Sequence, residues 1–156
     1  MSQGQTLTVE ELKQELKLKS KQKIVFTNGC FDILHPGHVK YLAEAKALGD
    51  ILVVGLDDDI SVKKNKGNSR PYLNQEQRAY MLCALRSVDF VCLYGGYNPE
   101  PLIREVNPQI LVKGGDYDPD TILGAKYVKS IGGEVRCLSF TEGFSTTNLV
   151  EKIKSN

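Results

Sequence analysis

A sequence of 156 residues has the length of one domain built around one hydrophobic core. Hydrophobic residues make up 41% and charged residues 25%, an ordinary balance for a soluble globular protein. The net charge of +1 creates no overall field for nucleic acid, and no basic stripe with interleaved aromatics is present. No apolar run approaches the roughly 20 residues of a membrane helix, and the polar N-terminus lacks a signal-peptide core. We therefore expect a cytoplasmic protein that binds neither nucleic acid nor membranes.

Strand and helix patterns alternate after a helical leader over residues 1–21. Thr8 and Glu11 have the spacing of a capping box, as do Asn74 and Gln77. The predicted helices cover residues 8–19, 37–48, 74–85, 98–106, 118–131 and 145–154. The predicted strands cover residues 23–27, 51–56, 88–93, 110–112 and 134–139.

Strands separated by helices predict right-handed βαβ units. The fold class is therefore α/β, a single Rossmann-like domain over residues 1–156 with a five-stranded parallel sheet, helices on both faces and a catalytic core over 22–154. Residues 57–73 are polar and lysine-rich and predict a long loop of the kind that often serves as a lid. Ligands in such folds bind beyond the carboxyl ends of the strands, where the strand order reverses.

The only two histidines, His35 and His38, lie in the segment His35-Pro36-Gly37-His38 between the first strand and its helix. Free N–H groups and the helix dipole favour an anion there, and Gly37 permits close approach of a phosphate. Imidazoles three positions apart share one side of a helical turn and could contact one phosphoryl group. The alternatives are a pair that only caps the helix and a zinc pair, which lacks a third ligand nearby.

Three further segments could carry chemistry at strand or helix ends. The hydroxyls of residues 145–147 open the last helix, where they suit a terminal phosphate or form an ordinary N-cap. Gly114 and Gly115 permit close approach of a base or sugar, or form a turn. Asp57, Asp58 and Asp59 follow the second strand and could meet Mg²⁺ or sugar hydroxyls, or only solvate a turn.

The four cysteines are scattered without C-x-x-C spacing, which disfavours a zinc or redox site. We interpret Cys83, Cys92 and Cys137 as small buried side chains in a reducing compartment. Cys30 as a covalent nucleophile is a weaker alternative, because neither histidine is adjacent to it in sequence.

The histidine segment resembles the signature of the cytidylyltransferase-like nucleotidyltransferases. Arg86-x-Val88-Asp89 and Ser145-Thr146-Thr147 are similar to later blocks of that family, and the likeness extends over residues 23–153. The matching signature is Thr27-x-Gly29-x-Phe31-Asp32-x-Leu34-His35-x-Gly37-His38.

Within that family the sequence is most similar to the adenylyltransferase domain of the heptose-phosphate enzymes of lipopolysaccharide core synthesis. The residues that carry this likeness are 27–35, 66–71, 111–117 and 145–148. Phe140 stands where the glycerol-phosphate cytidylyltransferases usually have an arginine. Val150 stands where many members have a basic residue, so hydroxyls and loop lysines would have to hold the pyrophosphate. The domain is fused to a sugar kinase in many bacteria, and the length here leads us to expect a stand-alone transferase.

The resemblance implies transfer of AMP from ATP to D-glycero-D-manno-heptose 1-phosphate, with Mg²⁺ bridging phosphates and a homodimer as the assembly. The implied catalytic residues are His35, His38 and Lys66, and no metal-ligating side chain is implied. Residues implied to contact the acceptor are Asp32, Asp57, Asp59 and Arg70. Residues implied to bind the nucleotide are Thr27, Asn28, Gly29, Cys30, Phe31, Gly37, Lys113, Gly114, Gly115, Tyr117, Ser145, Thr146 and Thr147.

Two other functions are open at this point. One is a cytidylyltransferase that acts on glycerol 3-phosphate or another polyol phosphate. The other is a nucleotide-sensing module without activity, which the presence of both histidines and the Ser-Thr-Thr block argues against.

Overall fold

The computed structural model describes residues 3–139 and 141–156. Its strands are β1 (Gln5–Thr6), β2 (Ile24–Gly29), β3 (Ile51–Asp57), β4 (Phe90–Tyr94), β5 (Ile110–Gly114) and β6 (Glu134–Leu138). Its helices are α1 (Val9–Leu18), α2 (Pro36–Lys46), α3 (Asp59–Lys66), α4 (Gln75–Cys83), α5 (Glu100–Val106), α6 (Ala125–Ser130) and α7 (Thr146–Lys154). A short 3₁₀ helix covers Pro119–Thr121.

All six strands form one parallel sheet in the order β1-β4-β3-β2-β5-β6. The chain moves outward from β2 through β3 to β4, and then returns to the other side of β2 to add β5 and β6. The strand order therefore reverses between β2 and β5. Their carboxyl ends flank the crevice where ligands bind in folds of this type.

Helices cover both faces of the sheet, as predicted, because the central strands are apolar on both sides. On one face, α2 and α4 pack Leu42, Ala45 and Leu82 against alternate residues of the sheet such as Val25 and Leu52. On the other face, helices α1, α5 and α6 pack against the intervening strand residues. The second face includes Leu12, Leu16, Phe26, Val53, Leu102, Ile103, Leu111 and Val128.

The predicted number of strands is wrong, because the sheet has six strands and not five. The additional strand is β1, in the segment that we interpreted as a helical leader, and Gln5 and Thr6 pair with Phe90 and Val91 of β4. Two exposed polar residues carry no alternation of apolar and polar side chains, so their pairing depends wholly on the edge of β4.

Two further expectations differ from the structure. Residues 57–73 are not one loop, because α3 occupies their first half: the Asp58 carboxylate accepts a hydrogen bond from Ser61 N–H at 2.7 Å, and Val62 is buried. The helix predicted over 118–131 is divided into the 3₁₀ turn and α6. Gly124, with φ of 88°, separates them.

The predicted helix caps are confirmed. Thr8 and Glu11 form a capping box, Asn74 and Gln77 form a second one, and Ser145 caps α7. Within the described residues, no helix has the length and apolar character needed to cross a bilayer.

We predict that α1 contributes to the core, although it lies in the segment interpreted as a leader. Leu12 is 1% exposed, so Leu12→Ala should lower the free energy of unfolding by about 2–5 kcal/mol, measured by urea denaturation. Leu18 lies on the same helix and is 81% exposed, so Leu18→Ala should change the free energy of unfolding by less than about 0.5 kcal/mol. Equal effects of the two changes would contradict an integral α1.

Candidate active site

The two histidines open α2 and lie ring against ring. His35 is the N-cap residue, and its Nδ1 accepts a long hydrogen bond from the His38 N–H at 3.4 Å. The rings stack with centroids 3.8 Å apart and planes 19° from parallel. An Nδ1 that accepts leaves the proton of a neutral imidazole on Nε2, so His35 can offer Nε2–H to a ligand. His35 therefore caps the helix and keeps an N–H donor for a ligand.

Both rings line a cavity of about 620 Å³ at the carboxyl ends of β2 and β5. Most of the residues singled out from the sequence also line it, which brings segments from five parts of the chain together. The predicted residues on its wall are Asn28, Gly29, Cys30, Phe31, Asp32, His35, Gly37, His38, Asp57, Lys66, Arg70, Lys113, Gly114, Tyr117, Ser145, Thr146 and Thr147.

His38 is held in its neutral form. Burial is the main cause, and the charges of His35 and Lys66 add to it, so that its pKa falls from 6.5 to about 4. Burial also lowers the pKa of His35. The Nδ1 of His38 is buried without a hydrogen-bond partner among the described residues. With its one proton on Nε2, neutral His38 can donate to a phosphoryl group as His35 can, and the two rings do not repel one another as two cations would.

The N-terminus of α7 reaches the same cavity from the other side. Ser145 Oγ accepts the Asn148 N–H at 3.0 Å, and Thr146 Oγ1 donates to the carbonyl of Ile33 at 3.3 Å. The latter bond joins α7 to the segment before α2. A Cβ at Gly37 would lie 3.1 Å from Phe144 Cβ, so the absence of a side chain there permits this close packing. Two helix N-termini thus face one cavity, and both favour an anion.

The carboxylate of Asp32 is already hydrogen-bonded within the protein, which is not expected of a side chain that contacts an acceptor. Its buried carboxylate accepts hydrogen bonds from Arg70 Nε at 2.6 Å, Tyr72 N–H at 2.8 Å and Leu73 N–H at 3.0 Å. Burial alone would raise its pKa, but these donors together hold the pKa below its ordinary value. The carboxylate therefore orders the segment after α3. It also anchors Arg70 at the cavity wall, where the guanidinium stacks over Tyr72 at 4.8 Å.

A second polar cluster lies where β2 and β3 end. The Cys30 thiol donates to Asp57 Oδ2 at 3.1 Å, and Lys113 Nζ donates to the Asn28 carbonyl at 3.4 Å. Burial first, and then Asp57, raises the pKa of Cys30 to about 12. Since a thiol with that pKa stays protonated at neutral pH, Cys30 is a poor nucleophile.

Three predicted contact residues do not line this cavity. Thr27 is buried beneath it, and its hydroxyl hydrogen-bonds the Tyr41 hydroxyl at 2.7 Å, so that it supports a wall residue. Gly115 is buried and is not on the cavity wall, and its N–H donates to the Leu138 carbonyl at 2.8 Å. Asp59 accepts from Arg78 Nη2 at 2.7 Å. Phe140 lies outside the described residues.

Arg78 braces the site, and the sequence interpretation missed it. The side chain is 1% exposed, and its Nη1 donates to the carbonyls of Cys30 at 2.7 Å and Asp57 at 2.9 Å. It thereby ties the ends of β2 and β3 to α4. The available signal was its position on the buried face of α4, one turn before Leu82. Tyr41 and Phe144 are further wall residues that the motifs did not identify.

The described residues contain no group of three or more His, Cys, Asp or Glu side chains able to hold a metal ion. All four cysteines are free, with Cys83 and Cys92 buried as predicted and Cys137 only partly buried.

A model of the cytidylyltransferase-like family matches residues 26–155. The chain is 51% identical over 134 residues to the bifunctional protein HldE of Geotalea uraniireducens, covering 86% of this chain and 27% of that protein. It is 50% identical over 147 residues to HldE of Campylobacter concisus, covering 94% of this chain and 30% of that protein. The chain therefore spans less than a third of the length of these curated relatives.

Solved structures show the same fold. A lipopolysaccharide core biosynthesis protein from Thermoplasma volcanium aligns with a TM-score of 0.63 and 28% identity, over 77% of this chain and 97% of that one. A pantothenate synthetase from Thermus thermophilus aligns with a TM-score of 0.65 at 16% identity, over 97% of this chain and 70% of that one. The second likeness concerns the fold alone.

We predict that Asp32→Asn destabilises the protein by about 1–3 kcal/mol at pH 7, because donors are left around a neutral group. The native pKa of Asp32 is lowered, so its contribution is present above the ordinary carboxyl range and is lost as the pH falls through the native pKa. The difference between wild type and variant should therefore shrink toward pH 3 in urea denaturation. Asp116→Asn, at an exposed position, is the control and should show no such difference. A gap that stays constant with pH would contradict an ionised, stabilising Asp32.

Proposed function

The chain belongs to the cytidylyltransferase-like family, and on that premise we propose that it transfers AMP from ATP to D-glycero-D-manno-heptose 1-phosphate, releasing pyrophosphate and ADP-heptose. The observation that carries this proposal is the stacked His35/His38 pair at the start of α2, facing the start of α7 across one cavity. Such a site suits a polyphosphate, because hydrogen-bond donors and helix dipoles converge on it.

In the proposed reaction, an oxygen of the sugar phosphate attacks the α-phosphorus of ATP. The bond from that phosphorus to the bridging oxygen of the β-phosphate breaks, and pyrophosphate leaves with its electron pair. The attacking group is already an anion, so the protein need supply neither a nucleophile nor a base. Catalysis then consists of positioning and charge stabilisation. The neutral imidazoles of His35 and His38 would donate to the α-phosphate oxygens as their charge grows.

Cationic side chains on the wall supply the remaining charge. Lys66 at the end of α3 and Arg70, fixed by Asp32, would neutralise phosphates, while residues 145–147 would hold the leaving pyrophosphate. Position 150 holds a valine and not a basic residue, so Lys66 and Arg70 would neutralise a larger share of the phosphate charge. Gly114 and Tyr117 would line the adenine.

Mg²⁺ is proposed to arrive with the triphosphate. It prefers oxygen ligands and usually keeps several waters while binding substrate phosphates and one or two carboxylates. The described residues offer no three-ligand cage, and Asp57, at the end of β3, is a carboxylate that lines the cavity. When bound, the ion would neutralise phosphate charge.

The preference for ATP and heptose phosphate is supported by the resemblance of residues 66–71 and 111–117 and by the HldE relatives. The Thermoplasma relative, a lipopolysaccharide core biosynthesis protein, agrees with it. The resemblance also implies a homodimer, and the composition of the sequence favours a cytoplasmic location; both stay predictions.

The proposal is tested by a survey of pyrophosphate release with ATP or CTP against heptose 1-phosphate of each anomer and glycerol 3-phosphate. We expect release with ATP and one heptose anomer. A preference for CTP and glycerol 3-phosphate would replace this function with the cytidylyltransferase alternative. No release with any pair would favour a module that only senses nucleotides.

We predict that His38→Ala lowers kcat by about 10²-fold or more, as the loss of one charge-stabilising donor can. Lys40→Ala is the matched control, because Lys40 is exposed on the same helix and, among the residues that the structure describes, forms an ion pair only with Glu44. It should turn over at the wild-type rate in a coupled pyrophosphate assay. Near-normal turnover of His38→Ala would refute the role of the histidine pair.

A further inference from the structure

All three nitrogens of the buried Arg78 guanidinium donate hydrogen bonds. Its Nε donates to the Leu73 carbonyl at 3.0 Å, and its Nη2 donates to Asp59 Oδ1 at 2.7 Å. Its Nη1 is shared between the carbonyls of Cys30 and Asp57. Only the planar fork of an arginine reaches several acceptors at once, because a lysine is a single point donor. The side chain is therefore fixed, and so are the three carbonyls that it contacts.

Phe31, which follows one of those carbonyls, has a strained backbone. Its φ of 46° lies in the left-handed region, which disfavours a residue with a side chain. Among the described residues other than glycine, Tyr97 and Asn107 also have a positive φ, but neither lines the cavity that holds the histidines. Strain of this kind persists only where the surrounding structure holds it. The contacts on either side of Phe31 therefore decide its conformation.

Both neighbours of Phe31 are held from the segment where α4 begins. On one side, the Cys30 carbonyl accepts Arg78 Nη1 at 2.7 Å. On the other side, the Asp32 carboxylate accepts the Leu73 N–H at 3.0 Å. Arg78 also bonds the carbonyl of the same Leu73, so the two attachments are joined. The left-handed turn at Phe31 is thus enforced by contacts with residues more than forty positions away in sequence.

This turn places the Phe31 ring against His38. The two ring centroids are 5.3 Å apart, with planes at 60°. A Cβ at Gly29 would lie 3.1 Å from Phe31 Cε2, so the ring also lies directly on the backbone of β2. His35 stacks on His38 at a centroid distance of 3.8 Å. Since His38 is contacted by two rings, the direction of its polar edge depends on where those rings lie.

We propose that Arg78 is a positioning residue for the nucleotidyl transfer. Through the Cys30 carbonyl it maintains the turn that holds Phe31 against His38, and so it fixes the direction in which His38 donates to the reacting phosphate. Arg78 does not itself line the cavity, and it acts through these groups. The inference rests on the proposed function, in which His38 stabilises the transition state. A donor misplaced by about 1 Å can cost about 10²-fold in rate, so such support has a measurable effect.

Arg78→Lys tests this link, because it keeps the positive charge beside Asp59 and removes the fork. We expect kcat for pyrophosphate release to fall at least tenfold. KM for ATP should stay within threefold, because the phosphate contacts remain and the misdirected donor matters most as charge grows in the transition state. The ring signals of His38 in nitrogen-15 NMR should also move. His35 and His38 are the only histidines, so His38→Ala assigns the signals.

Leu82→Ala is the matched control for stability. Leu82 is fully buried one turn after Arg78 on α4, and its truncation should destabilise the protein without touching the Cys30 carbonyl. At a temperature where circular dichroism shows every variant folded, Leu82→Ala should keep the kcat and the His38 signals of wild type. An equal loss of kcat in Leu82→Ala would reduce Arg78 to general support and overturn the proposal. Wild-type kcat in Arg78→Lys, or unmoved His38 signals, would overturn it as well.

A second variant approaches the same link from Phe31, and it decides alone if Arg78→Lys does not fold. Phe31→Leu keeps an apolar side chain but removes the flat ring beside His38, so it should lower kcat and move the His38 signals with Arg78 intact. Combined with Arg78→Lys, its loss of kcat should be smaller than the product of the two single losses, because both changes act through one contact. Fully multiplicative losses, or an unchanged kcat in Phe31→Leu, would contradict the link.

Failure of the proposed function would be distinguishable from failure of this link. If wild type releases no pyrophosphate from ATP and heptose 1-phosphate, the proposed function fails. The positioning of His38 is then judged by its NMR signals alone. Signals that Arg78→Lys moves and Leu82→Ala leaves in place support the link, and signals that neither change moves overturn it.

Discussion

The reversal of strand order between β2 and β5 is the constraint on which the site depends. It places the ends of β2, β3 and β5 around one crevice, and α2 begins at that crevice. The last helix, α7, returns to the same crevice after β6, and the bond from Thr146 to Ile33 joins it there. Residues more than a hundred positions apart therefore meet because of topology.

The charges around this crevice are arranged so that cations and donors face inward while the carboxylates are committed elsewhere. Asp32 is occupied by Arg70 and two backbone N–H groups, and Asp59 is occupied by Arg78. Asp57 and Glu142 are exceptions on the cavity wall, and Asp57, which accepts the Cys30 thiol, is the carboxylate proposed to meet Mg²⁺. The neutral histidines add donors to the wall without adding charge.

Much of this architecture follows from patterns in the sequence. The capping boxes at Thr8 and Asn74 and the long apolar run of β3 predicted their elements, because these signals are local. The strand β1 was not predictable, since its two polar residues pair only because the edge of β4 is present. The helix α3 was missed because most of its residues are polar and only Ser61 and Val62 are buried, so the sequence shows no apolar periodicity there.

The candidate site shows the same division. Glycines and histidines between a strand and a helix predicted a phosphate cavity, and 17 of the 20 predicted site residues line it, because strand ends meet at one edge of a parallel sheet. The hydrogen bonds by which Asp32 and Arg78 order the site were not predictable, since their partners are distant in sequence.

The central claim is that a neutral His38 binds a phosphate at the start of α2. Nitrogen-15 NMR of histidine-labelled protein, titrated with pH in the presence and absence of a non-hydrolysable ATP analogue, tests it most directly. Without nucleotide, His38 should titrate near pH 4, well below the ordinary value of 6.5, because burial disfavours its charged form. The bound phosphates should raise that midpoint, since an adjacent anion favours the imidazolium. A midpoint near 6.5 in the free protein, or one that the nucleotide leaves unmoved, would contradict the account.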